Sequence, residues 1–129
     1  MHPVPLTQPA NLSPAALRTF FRIVDRWGLR PDEARTLLGV PSTTYFRWRR
    51  DPARVRLGAD TLERISYVLG IYKALRIIYT DEAVADLWLK RPNDSPVFGG
   101  HEPLFRMLAG QVADLFVTRQ HLDARRGVV

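Results

Sequence analysis

Five arginines fall within the ten positions from 47 to 56, in the segment TYFRWRRDPARVRL, and Tyr45, Phe46 and Trp48 are threaded among the first of them. A guanidinium is a planar fork of donors that matches two phosphate oxygens, or the edge of a guanine, in a bidentate pair. A dense run of such groups therefore suits recognition of a polyanion. The aromatic side chains do not fit a plain solvated face, so the segment needs a fold that separates the two kinds of side chain.

Residues for bond-making chemistry are missing. His2, His101 and His121 are scattered, with no neighbouring Ser–Asp pair and no metal-ligand spacing. There is no cysteine, which removes thiolate zinc sites, a thiol nucleophile and disulfides, and which fits a reducing cytoplasm. Asp81, Glu82 and Asp86 could crowd one helix face, but acids at a helix start usually serve capping. Gly99-Gly100 is too short for a phosphate loop and follows no strand. We expect no catalytic residue, no metal and no cofactor. No apolar run reaches the length of a bilayer span, and MHPVPLTQPANL lacks the basic and apolar regions of a signal peptide. The expected location is the cytoplasm, away from membranes.

The chain has 129 residues, a net charge of +6 and a pI near 10.5, and 17 of its 19 basic residues are Arg. GC-rich coding accounts for part of that bias. The excess is uneven: residues 1–79 hold 13 basic and 6 acidic residues, and residues 80–129 hold 6 and 7. A basic first part facing a polyanion and a neutral second part facing something else follow from this split.

The elements that must position the arginines are helical. Residues 1–12, with Pro3, Pro5 and Pro9, read as a flexible arm. Helix one opens at Ser13 as cap with Pro14 in the first turn, buries Leu17, Phe20, Val24 and Trp27, and ends at Gly28. PDEARTLLG is a second helix stopped by Gly39, and a third runs from about Thr43 to Arg50, where Pro52 ends it. Asp60 and Glu63 in DTLE form a capping box for a long fourth helix, apolar on more than one side, suited to a join between two units or a dimer seam. Shorter helices follow, separated by NDSPVFGG. Nothing alternates with period two, so the fold class is all-α: an N-terminal helix-turn-helix bundle (13–79) followed by a small helical domain (80–129).

Two short helices joined by a Gly-containing turn, the second one basic, make a helix-turn-helix. On the third helix Tyr45 and Trp48 share a face and can pack on Leu37, Leu38 and Val40. The other face presents Thr43, Phe46, Arg47 and Arg50, flanked by Thr44 and Arg49. Because the start of a recognition helix lies nearest the bases, Thr43, Thr44 and Arg47 are assigned to base edges, with Ser42 as cap or phosphate donor. Arg49, Arg50, Arg54 and Arg56 are assigned to phosphates of double-stranded operator DNA. Phe46 is left to a thymine methyl or to packing. Ala34 stands five residues before Gly39, where four is commoner, so the register can differ by one.

In the second part, LWLKRPNDSPVFGGHEPLFRMLAG places Trp88, Leu89, Pro92, Asn93, Gly99, Gly100, Pro103, Leu104 and Gly110 in an order that resembles the toxin-binding domain of Xre/MbcA/ParS-type antitoxins. ARTLLGVPSTTYFRW and RISYVLGIYKALR are similar to the helix-turn-helix of the same family. The resemblance implies a type II antitoxin that neutralises a co-encoded NAD-consuming RES-domain toxin and represses its own operon as a homodimer. It also implies toxin contacts at Trp88, Pro92, Asn93, Gly99 and Gly100. The chain end LDARRGVV would lie at the toxin's active-site cleft, with Arg125 and Arg126 as the candidates for an anion-accepting site there. Taken singly, Trp88 and Leu104 read as core and Gly99-Gly100 as a turn. A repressor without a toxin, using residues 80–129 for dimerisation or effector sensing, remains the alternative. A module that has lost DNA binding is the third reading.

Overall fold

The computed structural model describes the backbone of residues 9–126 and the side chains of residues 12–126. Seven α-helices order the described residues: α1 (Pro9–Arg26), α2 (Pro31–Leu38), α3 (Ser42–Arg50), α4 (Ala59–Ile78), α5 (Glu82–Leu87), α6 (Pro103–Met107) and α7 (Val112–Arg125). Among the described residues there is no strand. Of the expected arm, residues 1–8 lie outside the described residues, and α1 takes in the rest.

Helix α1 therefore starts four residues before the Ser13 cap that the sequence suggests. Pro9 fills the first helical position, where a missing N–H costs nothing, and Pro14 sits inside the helix. Ser13 is fully buried instead of capping, and its hydroxyl accepts the Leu57 N–H at 3.0 Å. That bond ties the loop after α3 to the start of α1. The expected apolar stripe of Leu17, Phe20, Val24 and Trp27 is buried, with Phe21 and Ile23 added to it.

Pro31 opens α2, and the Glu33 carboxylate accepts the Arg30 N–H at 2.9 Å. Gly39 closes it in the left-handed region (φ 72°), its N–H donating back to the carbonyls of Arg35 and Thr36. Val40 and Pro41 then lead into α3. A helix of nine residues has little stability alone and must be held by packing. Tyr45 provides it: the residue is 4% exposed, and its ring stands edge-on to Phe21 of α1 at 5.7 Å. Trp48 is half-buried against the same core.

Helix α4 begins at Ala59, with Gly58 rather than Asp60 in the capping position. The expected capping box does not form, because the earlier start puts Asp60 inside the first turn. There it pairs with Arg64 one turn on (3.1 Å), and Glu63 accepts from the Tyr67 hydroxyl. The apolar residues on several sides of α4 are explained by its surroundings. Ile65, Val68, Ile71, Ala74 and Leu75 are all buried, with α1 and α2 on one side and α7 along the other. Gly70 lets α7 come close: a Cβ there would stand 2.5 Å from the Arg119 side chain.

Asp81 caps α5 by accepting from the N–H groups of Ala83 and Val84. A 3-10 turn at Trp88–Lys90 extends it. Glu82 in the first turn of that helix and Asp86 one turn on pair with Arg26 of α1 and Arg76 of α4 (Arg26–Asp86 3.1 Å, Arg76–Asp86 2.8 Å, Arg76–Glu82 3.2 Å). Arg106 of α6 holds the near-buried Asp114 of α7 at 2.8 Å and donates to the Val97 carbonyl at 2.9 Å. One continuous cluster of buried side chains runs from Leu17 to Leu122.

Because α4 serves the core on both sides, residues 13–79 and 80–126 should unfold together. Replacing Ile71 by Ala removes a buried side chain from the shared seam and should cost about 2–5 kcal/mol. Urea denaturation followed by both circular dichroism and tryptophan fluorescence should show one coincident transition that moves to lower denaturant. Separate transitions would show that the two parts do not fold as one.

Candidate nucleic-acid interface

The outer face of α3 and the loop after it carry free positive charge. Arg47, Arg50 and Arg56 are exposed and have no acidic partner among the described residues. Arg54 is highly exposed and lies 3.4 Å from Asp51. A cleft of about 380 Å³ between the end of α3 and the following loop brings Arg47, Arg54 and Arg56 together beside Trp48 and Val55, with Asp51 on its wall balancing Arg54 alone. Three guanidinium groups around one cleft suit a phosphate, which accepts several charge-assisted bonds at once.

Thr43 is exposed at the start of α3 and Thr44 is half-buried. Ser42 is exposed as the first helical residue, and Pro41 stands in the capping position, so no side chain caps α3. The helix begins one residue earlier than expected, which turns Ser42 from a cap into a first-turn residue. Phe46 is 47% exposed and stands edge-on to Tyr45 at 5.4 Å. Its ring is therefore available at the surface of the helix.

Arg49 departs from its expected place. Its guanidinium lies 2.6 Å from the Asp25 carboxylate of α1 and 4.7 Å from the centre of the Phe21 ring. The cause is register: Arg49 follows Tyr45 by one turn, so it points toward α1 with it. Burial pushes the Tyr45 phenol above its ordinary pKa, and the hydroxyl stays protonated beneath α3. Asp25, which sequence reasoning missed, is the anchor for this side of the helix. An acid on α1 facing an arginine on α3 left no signal in local spacing.

The second group of expected residues gathers at the other end. A cavity of about 680 Å³ is lined by Trp88, Pro92, Asn93, Gly100 and Arg125. Tyr79, Arg91, Asp94, Ser95 and His121 line it as well, and were not expected. His121 precedes Arg125 by one helical turn on α7, which is a spacing that could have found it. Asn93 holds the loop in shape: its side-chain carbonyl accepts the Ser95 N–H at 3.0 Å. Its backbone bonds to His101 and Gly100. Gly99 and Gly100 have φ of 59° and 87°, and a Cβ at either would meet no atom, so backbone conformation alone calls for glycine.

Arg125 donates to the Tyr79 hydroxyl at 3.0 Å and covers that ring at 5.5 Å. Arg126 turns elsewhere, half-buried and 3.3 Å from Asp123, so the two tail arginines are not equivalent. Gly127, Val128 and Val129 lie outside the described residues. Trp88 is buried, edge-on to Phe98 at 5.7 Å and stacked with His121 at 6.2 Å. Its core reading is the one the packing favours. Burial, with a smaller contribution from Arg125, holds His121 below its ordinary pKa.

No group of His and acids able to hold a metal exists among the described residues, and no helix there is long and apolar enough to cross a membrane. A family model described as the antitoxin Xre-like helix-turn-helix domain matches residues 9–70, which are α1 to the middle of α4. The uncharacterized protein y4oB of Sinorhizobium fredii is 50% identical over 115 residues, covering 88% of this chain and 86% of that protein.

His121 supplies a pH test of the cavity. A histidine held below its unfolded pKa favours the fold while neutral, so its contribution is complete above the ordinary value of 6.5 and is lost as pH falls below it. His121→Gln should therefore flatten the drop in stability between about pH 7 and pH 5 relative to the parent chain, measured by urea midpoints. Equal slopes for the two proteins would remove His121 from this role.

Proposed function

We propose that this chain, which belongs to the family sharing the antitoxin Xre-like helix-turn-helix domain, represses its own operon through α3 and neutralises a co-encoded RES-domain toxin through residues 80–129. In this reading residues 13–79 bind operator DNA in the cytoplasm and a homodimer reads two half-sites.

The observation that carries the DNA part is the placement of charge on α3. Tyr45 is buried and edge-on to Phe21, while Arg47 and Arg50 stand outward without acidic partners among the described residues. A rigidly seated helix with unneutralised guanidinium groups on its outer side suits a major groove. Thr43, Thr44 and Arg47 would meet base edges. Ser42, Arg50, Arg54 and Arg56 would meet phosphates, with the cleft beside Trp48 as one phosphate seat. Arg49 contributes by orienting α3 from Asp25 rather than by touching DNA.

The toxin part rests on the resemblance in the second half and on the cavity that gathers Trp88, Pro92, Asn93, Gly100 and Arg125. Arg125 is the tail arginine with an exposed side chain at that cavity, and is the better candidate of the two. A repressor without a toxin would use the same DNA face, and the family model stops at residue 70, inside α4. Co-expression with the product of the adjacent gene separates the readings. A stable complex that relieves growth arrest supports the antitoxin, and its absence supports the stand-alone repressor.

On operator DNA, Arg47→Ala should cost about 1–3 kcal/mol and relax discrimination at one base pair, and Arg50→Ala should lower the salt slope by about 1. Arg49→Ala should leave the salt slope nearly unchanged. Mobility-shift titrations across a salt series measure all three. Unchanged affinity in an Arg47→Ala, Arg50→Ala double variant would move the reading to a module that does not bind DNA.

For the toxin, truncation is a poor probe because Leu122 is fully buried and its loss damages the core. The double substitution Arg91→Ala, Arg125→Ala is cleaner. It should weaken a purified toxin complex while leaving operator affinity within about twofold, since the two sites share no lining residue. Equal loss of both activities would overturn the division between the halves.

A further inference from the structure

A second large depression lies away from both faces, in a groove of about 710 Å³ between α1 and α4. Its floor is apolar: Ile23 is buried, and Leu69 and Tyr72 are partly buried against the core. Four charged residues line it, and two of these are committed elsewhere. Asp25 holds Arg49, and Arg26 holds Glu82 and Asp86. The remaining two, Arg22 and Lys73, are exposed. Arg22 donates only to the Thr19 hydroxyl at 3.2 Å, and neither has an acidic partner among the described residues.

The groove thus offers an apolar floor with two uncompensated cations at its edge. A nucleic-acid duplex keeps its base faces stacked inside and offers no apolar body to fill such a floor. The volume falls in the range of about 300–1,000 Å³ that small ligands occupy. We propose that this groove binds a small amphiphilic anion, a carboxylate carried on a hydrocarbon or aromatic body. The carboxylate sits at Arg22 and Lys73, and the body lies on Ile23, Leu69 and Tyr72. The assignment depends on neither the DNA nor the toxin reading. Its position gives it a reach, because the bound ligand lies beside Asp25, the residue that fixes Arg49 and with it the back of α3.

Octanoate is the probe, with 1-octanol as the uncharged control, each titrated calorimetrically into the full chain. Octanoate should bind with a Kd of about 1 mM or tighter, and octanol about tenfold more weakly. Replacing both cations, Arg22→Ala with Lys73→Ala, should weaken octanoate about tenfold, and Lys73→Arg alone should keep it within about twofold. Both positions are exposed, and circular dichroism verifies that the variants fold. Equal binding of octanol and octanoate, no binding at about 10 mM, or an unchanged affinity in the double variant would overturn the proposal. So would light scattering in which Leu69→Glu turns a dimer of folded chains into monomers, since a second copy would then cover the groove.

Discussion

The buried ring of Tyr45 is the contact on which the presentation of α3 depends. It stands edge-on to Phe21, in the body of α1, and converts a nine-residue helix with three arginines into a fixed part of the core. The Arg49–Asp25 pair, with the guanidinium over the Phe21 ring, adds a polar clamp one turn further along the same face. This explains the interleaving of aromatic and basic residues in TYFRWRR. Helical period sends positions 45 and 49 inward together and leaves 47 and 50 outside. Exposed ion pairs contribute little to stability, so the value of the Arg49 clamp is orientation more than energy.

A similar division runs through the other arginines. Arg26, Arg64, Arg76 and Arg119 reach acids or carbonyls that join the second half to α1 and α4, and Arg106 joins α6 to α7 and to the loop before α6. Arg64, for example, donates to the Gly110 carbonyl at 3.1 Å, which seats the turn between α6 and α7 against α4. Five of the seven acids of the second half are engaged in this way or in capping, two of them, Glu82 and Asp86, by arginines of the first half. In the first half, cations without an acidic partner among the described residues lie on α1 to α4 and on the loop after α3.

The all-helical class, the turn at Gly39 and the inward Tyr45 were legible because they depend on local signals: period 3.6, a stop residue, a proline at a first helical position. The seam role of α4 was legible for the same reason, since apolar residues on several sides require neighbours on several sides. Helix starts were less so. Ser13 has the composition of a cap, yet its hydroxyl is used 44 residues away by Leu57, a long-range bond with no local trace. Asp60 and Glu63 satisfy a capping-box spacing, but Arg64 offered Asp60 a competing partner. The partner of Arg49, and the assembly of Tyr79, Arg91 and His121 around Arg125, are tertiary facts that spacing does not encode.

The two halves are joined by more than a shared core. Helix α1 carries Asp25 and Arg26 side by side: the first anchors Arg49 of α3, and the second binds Glu82 and Asp86 of α5. Arg76 of α4 completes the second pairing, stacked on Tyr72 at 4.7 Å, and Tyr72 is also part of the groove floor. A partner that engaged α5 and drew on Glu82 or Asp86 would have to compensate Arg26 and Arg76, both held by those acids. The cost would appear in α1, next to the residue that positions α3. Coupling between distant sites requires an element that both sites load differently, and distance alone does not supply it. The last turn of α1 is the place that both halves touch, Arg49 through Asp25 and Glu82 and Asp86 through Arg26.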